Sequence, residues 1–336
     1  MKVPFSAVWF LPALLAFMTS GCSLFGGKVV HRSDGVTITR TSWKGWTDCY
    51  AITNGEVEVV VVPQIARIMK YGLAGGANVL WVNEELTAEK AGEAVAPEPG
   101  EWLNYGGYKL WPAPQVDWNW PPDWQLDRGP CTAQVSGDGA LRLIGAPSET
   151  YGIRFDREIR LAASGGRLDI AQTAVNVSDG PVTASIWDVT QVNADCVAFV
   201  PLGSGATYRT GEGEAPDEQW RRVDGMLLCK PTGRTGKVFI SGPPAWLGCK
   251  QGPLLFLKAF EPADAAPPEP ETPREVYTGD MGYIELEIVG PAVRLLPGEG
   301  TVLKEVWTLR PASPNAGTDE GLISNARDEA ALLPGE

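Results

Sequence analysis

The short run "YIELEI" (Tyr283 to Ile288) places ionisable groups on what reads as a β-strand. Successive side chains of an extended chain point to opposite faces, so Ile284, Leu286 and Ile288 share one face. Tyr283, Glu285 and Glu287 share the other. Two carboxylates and a phenol on one face could form an acid–base or hydroxyl-binding set. Crowding two carboxyl groups raises the pKa of one of them, which is the condition for proton transfer near neutral pH. The competing reading is the solvated face of an outer strand, where the same alternation carries no chemistry.

A second concentration of useful side chains is "NYGGYKLWPAPQVDWNWPPDW" (Asn104 to Trp124), with four tryptophans, two tyrosines and four prolines. A regular strand or helix has no use for Pro112, Pro114, Pro121 and Pro122, and a flexible linker has no use for the rings. Proline stiffens the loop and lowers the entropy lost in holding Trp111, Trp118, Trp120 and Trp124 in place. Rings held in this way offer flat apolar faces on which the C–H face of a pyranose stacks. Polar neighbours such as Lys109, Gln115, Asp117, Asn119 and Asp127 would take its hydroxyls. The same rings would also serve to cap the end of a β-sandwich. Arg154 and Arg157 fit either structural ion pairs or a clamp for a ligand hydroxyl or carboxylate.

The elements that must position these residues are strands. "YAITNGEVEVVVVPQ" has two β-rich runs around Asn54-Gly55, a strong hairpin signal, and "RIMKYGL" and "NVLWVN" continue the sheet. From Thr132 onward turns recur about every ten residues, at Gly137-Asp138-Gly139, Ser164-Gly165-Gly166 and Ser178-Asp179-Gly180. That rhythm belongs to antiparallel sheets packed in layers. "EELTAEKAGEAVAPEPGEW" reads as a long acidic excursion holding at most one helical turn. "EPADAAPPEPETPRE" (Glu261 to Glu275) reads as a loop between strands, since strand patterning resumes after it. The tail holds one short helix, in "DEGLISNARDEAALL".

The ends and the composition narrow the function. "MKVPFSAVWFLPALLAFMTSGCSLFGG" reads as an export signal over residues 1–21, with Lys2, an apolar run to Met18 and a small-residue cleavage site. Cys22 follows, as in a bacterial lipobox, and its diacylation would anchor the chain to a membrane. Residues 22–34 then read as a tether, 35–311 as a single domain and 312–336 as a C-terminal tail. The formal net charge of −13 offers no basic stripe for phosphates, so nucleic acid is not an expected partner.

Of six cysteines, five remain beyond Cys22. Cys49, Cys131, Cys196, Cys229 and Cys249 form no C-x-x-C, so no metal site is expected. Cys229 and Cys249 fit either a disulfide or buried thiols. No P-loop, H-E-x-x-H, EF-hand or G-x-S-x-G motif is present, and no cofactor is expected. The single histidine, His31, stands in the polar leader, which excludes any triad that needs one.

Several motifs, in this order along the chain, carry a resemblance. "YGIRFDREIRLAASGGRLDIAQTAVNVSDGPVTASIWDVTQV" resembles the central region of the galactose-mutarotase-like superfamily, the β-supersandwich of aldose 1-epimerases and their relatives. "GGYKLWPAPQ" is similar to the Gly-Gly…Trp-Pro stretch of hexose-phosphate epimerase relatives. "YIELEIVGPAVRLLPGEG" and "EVWTLRP" resemble their glutamate strand, turn and final strand. "NYGGYKLWPAPQ", "WPPDWQLDRGP" and "PGEGTVLKEVW" together are closer still to a bacterial envelope family known only as a domain of unknown function, given the same fold.

The resemblance, over Gly35 to Pro311, implies an all-β supersandwich of large antiparallel sheets with a sugar-shaped cleft. It implies that Glu287 stands at the family's catalytic glutamate, with Glu285 one alternation away. Where those enzymes carry a catalytic histidine, this chain has "SIWDVTQV". Trp187, Asp188 and Gln191 therefore occupy the strand of the missing group, and mutarotation by the usual glutamate–histidine pair is not expected.

Three functions follow. One is a lipid-anchored carbohydrate-binding protein, and the second is an epimerase- or lyase-like enzyme using Glu287 with Asp188, Lys109 or a tyrosine. The third is a non-catalytic envelope scaffold. A shared cleft bordered by the Trp-Pro loop and the Glu285/Glu287 face is expected under the first two.

Overall fold

The computed structural model describes residues 26–92, 101–118, 120–211 and 219–333. β-Branched and aromatic residues in alternation between glycine-marked turns make strands, and the strands pair antiparallel throughout. Asn54 closes the first expected hairpin. Its side-chain oxygen accepts the backbone N–H of Glu56 and of Val57 at 3.0 Å, and Gly55 supplies a φ of +90°. "NVLWVN" makes only isolated bridges, because the Asn78 side chain takes the Tyr71 and Leu80 N–H groups that a ladder would use.

Among the described residues the strands assemble into an 11-stranded and a 10-stranded sheet packed face to face, with a separate two-stranded ribbon. The larger sheet runs in chain order from Gly27–Ser33 to Tyr108–Pro112. It then takes in Ile186–Asn193, Tyr283–Val289, Arg274–Thr278, Gly236–Ser241 and Thr207–Thr210. Its middle is thus built from segments far apart in sequence. Gly27–Ser33 pairs with Val36–Trp43 as an edge strand, so the sheet begins before residue 35, within the stretch read above as a tether. "KVVHRS" has the length and β-branched content to pair, and a free edge was there to receive it.

The two sheets differ in how they are covered. Ile153–Leu161 and Leu168–Asn176 in the second sheet alternate strictly between buried and half-exposed, as a sheet with one solvated face should. Val57–Val62 and Tyr283–Val289 in the first are buried at every position. Something must therefore lie on the outer face of the first sheet. Leu86, Leu103 and Tyr105 pack there on Trp46, Val60 and Met69, and Trp102, Ala113 and Trp118 pack on Trp111, Trp187 and Val289.

Between the sheets a largely apolar core encloses a cluster of polar side chains. Lys258 of the second sheet reaches across to Asp188 of the first. Its Nζ also donates to Thr190 Oγ1 at 2.7 Å and lies 3.5 Å from Glu305 Oε2. Gln172 Nε2 donates to both Tyr108 Oη and Glu305, each at 2.7 Å, and Trp307 Nε1 donates to Glu305 at 2.9 Å. Burial raises the Asp188 carboxyl well above the usual range, Glu305 adds to the effect, and Lys258 opposes it.

In the segment read as a tail, Asp319–Ala330 forms a helix capped by Thr318, whose Oγ1 accepts the Gly321 N–H at 3.1 Å. Its Leu322, Ile323 and Ala326 cover Phe199, Met226, Leu228 and Leu257 on the outside of the second sheet. All five described cysteines are free. Cys229 and Cys249 both pair with Ala198 from opposite sides. That puts them two strand spacings apart, roughly 9.5 Å, beyond the reach of a disulfide.

Candidate functional site

Three neighbouring strands bring their odd-numbered residues to the outer face of the first sheet. Register sets Trp187 beside Trp111, Val189 beside Lys109 and Glu287, and Gln191 beside Glu285. On the far side, Glu275 pairs with Glu287 and Tyr277 with Glu285, and Lys237 follows beside Tyr277. The strand carrying Glu285 and Glu287 is therefore central, with a partner on each side, and both carboxylates are buried.

The polar groups of this face form two similar units. In one, Lys109 Nζ lies 3.3 Å from Glu285 Oε1 and 4.3 Å from the centre of the Trp111 ring, and Gln191 Nε2 donates to the same oxygen at 2.8 Å. In the other, Lys237 Nζ lies 2.9 Å from Glu287 Oε2 and 4.3 Å from the Trp187 ring, and Trp187 Nε1 donates to that oxygen at 2.9 Å. Lys237 also bridges to Glu275 at 2.7 Å.

Their electrostatics differ. Burial works against the Lys237 ammonium, but Glu287 and Glu275 outweigh it and hold its pKa above the ordinary lysine value. Burial dominates at Lys109 and pulls its pKa down, with Glu285 opposing. Burial, reinforced by Glu287, raises the Glu285 carboxyl against the pull of Lys109 and Gln191. Glu275, the most enclosed, is pushed up to about 8, again chiefly by burial. The face therefore holds one fixed cation, one cation weakened by burial, and carboxyl groups displaced toward their protonated form.

An aromatic wall borders both units. Trp111 meets Trp187 at 5.5 Å, Trp118 at 6.0 Å, Trp120 at 6.1 Å and Trp102 at 6.2 Å between ring centres. Trp118 and Trp120 are stacked at 6.4 Å, and Trp102 lies 4.7 Å from Trp120. Trp118 Nε1 donates to Pro112 O at 3.0 Å, tying the loop back to the strand it leaves. Within the loop burial is graded: Trp111 is 4% exposed and Trp120 52%.

Of the residues singled out from sequence, Glu285, Glu287, Lys109, Trp111, Trp187 and Gln191 come together on this face, with Trp118 and Trp120 at its rim. Gln115 is exposed at the loop's turn, where its backbone N–H donates to Glu271 at 3.0 Å. Asp127 is buried behind the wall, accepting from Trp111 Nε1 at 2.7 Å and Arg67 at 3.0 Å, so its carboxylate supports a ring. Asp188 is on the opposite face, in the Lys258 cluster, because one step along a strand reverses the side chain. Arg154 lies on the second sheet, paired with Asp156 at 2.9 Å, which is the structural ion-pair reading. His31 is on the far edge strand, 2.7 Å from Ser33 Oγ. Asn119 and Cys22 lie outside the described residues.

Sequence reading missed Lys237, Glu275, Trp102 and Asn104. "PREVYT" does alternate Glu275 and Tyr277 as "YIELEI" alternates its carboxylates, but nothing local says the two strands are neighbours. A cavity of about 890 Å3 lies elsewhere, on the outside of the second sheet between Trp246, Phe260, Lys304 and Arg160. The charges along it are closed into pairs, Arg167 with Asp169 at 2.6 Å and Lys304 with Glu261 at 3.1 Å. Its volume exceeds its chemistry, and the Glu/Lys/Trp face is the better candidate.

Comparison with solved structures places the fold. A galactose mutarotase-like protein from Clostridium acetobutylicum superimposes with a TM-score of 0.54 at 11% identity, over 83% of this chain and 100% of that one. Another from Lactobacillus casei gives 0.53 at 11% identity, over 78% and 100%. A TPR-domain containing protein from Parabacteroides distasonis gives 0.52 at 14% identity over 79% of this chain, which spans about half (48%) of that longer one. The fold is thus a galactose mutarotase-like β-sandwich. No curated protein matches the sequence. Residues 49–310 match the model described as Domain of unknown function (DUF4380), and the chain belongs to that family.

Proposed function

We propose that this is a lipid-anchored protein of the bacterial cell envelope that binds a carbohydrate on the face between the Trp-Pro loop and the Glu285/Glu287 strand. One observation carries the reading: a wall of indoles and two Lys–Glu units share one face of one sheet. Indole faces suit the C–H surface of a pyranose, and fixed ammonium, carboxylate and amide groups suit its hydroxyls. The fold's likeness to mutarotase-like proteins supports the class of ligand, and the lack of a histidine in Ile186–Asn193, where the resembled enzymes carry theirs, supports binding over ordinary mutarotation. The chain lacking residues 1–21 is tested on a glycan array and by tryptophan fluorescence titration. Saturable quenching by a sugar is expected, and no response to any glycan would refute the reading. For the anchor, Cys22→Ala is expected to abolish incorporation of labelled fatty acid; an unmodified Cys22 in the mass spectrum of the mature protein would rule it out.

A second reading is an enzyme that moves protons with these groups. The raised Glu285 carboxyl and the lowered Lys109, 3.3 Å apart, favour it. It predicts a pH-dependent conversion of the bound sugar, lost in Glu285→Gln or Glu287→Gln. Binding without product in the wild type would leave only the first reading.

A further inference from the structure

The polar groups of the candidate face are not equally satisfied. At the Lys237 end, Glu287 Oε2 receives both Lys237 and the Trp187 N–H. At the Lys109 end three buried groups have atoms without partners. Gln191 is 0% exposed; its Nε2 is committed to Glu285, but its Oε1 accepts nothing. Asn104 is 4% exposed; its amide makes no hydrogen bond of good geometry, although it lies close enough to the Tyr283 hydroxyl to interact with it. The Trp102 indole N–H is unpaired as well.

These groups belong to one place. The backbone N–H of Gln191 donates to Gly107 O at 3.0 Å, so the run that carries Asn104 enters the sheet beside Gln191. The Asn83 side chain holds the Asn104 carbonyl at 3.1 Å, and the Asn104 side chain is turned toward the hydroxyl of Tyr283, neighbour of Glu285 on the same face. Lys109, between the Trp102 and Trp111 rings at 5.1 and 4.3 Å, completes the cluster. A buried amide left unpaired is costly, so such groups mark where a partner is missing.

We infer that Asn104 and Gln191 are specificity-determining residues that read two neighbouring hydroxyls of an uncharged sugar. The inference rests on the carbohydrate reading above. A carboxamide presents an acceptor and a donor side by side in one plane, and a hydroxyl both gives and takes a hydrogen bond. One hydroxyl donates to Asn104 Oδ1 while its neighbour accepts from Nδ2, leaving Gln191 Oε1 to take the second proton. A phosphate or carboxylate could only accept. It would leave both amide oxygens unmatched and bring a second negative charge against Glu285.

The test uses the chain lacking residues 1–21, with D-glucose, D-galactose and each of their monodeoxy analogues as probes, titrated by tryptophan fluorescence. Removing either of two adjacent hydroxyls is expected to weaken binding about tenfold. Asn104→Leu is expected to weaken binding of the parent sugar about tenfold and to weaken binding of those two analogues by a smaller factor, since each has already lost one of the two contacts to Asn104, a coupling that general damage to the site would not produce. Gln191→Met, read in the same way, serves if Asn104→Leu does not fold, and thermal melts monitor folding of both. Losses that multiply at every position, or sensitive hydroxyls that are not neighbours, would overturn the inference and leave the carbohydrate reading standing. Binding of none of these sugars by the wild type would count against both.

Discussion

Trp111 and Trp120 sit in one loop and meet in one cluster, yet their substitution should read out differently. Trp111 is closed in by Trp187, Trp118 and Asp127, so Trp111→Ala opens a cavity and is expected to cost about 3–5 kcal/mol of stability. Trp120 is half exposed; Trp120→Ala should leave the melting temperature nearly unchanged while weakening sugar binding by the worth of one stacked ring, about 1 kcal/mol. Chemical denaturation beside a binding titration separates the two, and equal effects in both assays would contradict the assignment. Glu275 gives a pH signature. Its carboxyl, raised from 4.5 to about 8, keeps its proton in the folded protein over a range where the unfolded chain has lost it. The stability it contributes is full below about pH 4.5, falls as pH rises, and is gone above about 8. Between pH 5 and 8 the wild type should therefore lose melting temperature more steeply than Glu275→Gln, and identical slopes would refute this.

At the scale of elements, much of the site was written in alternation, and what was not depended on which strands are neighbours. The period of two in "YIELEI" placed Tyr283, Glu285 and Glu287 on one face, where they are. Lys237 and Glu275 lie in strands whose adjacency to Glu287 follows from the crossover order of the sheet, and no local residue records that order. The solvated-face reading of Glu285 and Glu287 failed for a related reason: the cover comes from segments around Leu103 and Trp118 that have no strand pattern of their own. Asp188 illustrates the converse. Its strand was identified, but its face could not be fixed until the sheet's inner side was known. It now serves the joint between the sheets. Lys258→Met should leave Asp188 and Glu305 buried without a cation and cost about 3–5 kcal/mol, whereas Lys258→Met with Asp188→Leu should recover part of that loss. Urea titrations of the single and double variants check it, and a double variant no more stable than the single would refute the cross-link.

For the whole molecule, the fold was legible from turn rhythm and motif order, but its extent was not. An edge strand at Gly27–Ser33 and a helix at Asp319–Ala330 both lie beyond the stretch read as the domain. The helix is short, but it shields Phe199, Met226, Leu228 and Leu257. Deleting residues 319–336 should expose that patch and drive self-association or loss of soluble protein. Light scattering against concentration measures it, and a monodisperse, fully stable truncation would show the helix dispensable. The tryptophan wall has one more consequence, an optical one. Trp102, Trp111, Trp118, Trp120 and Trp187 are linked by ring-centre separations of 4.7–6.4 Å. At such spacing electronic excitation hops between indoles before it is emitted, so the five behave as one antenna. A molecule settling on the exposed ring alone would alter the light from all of them.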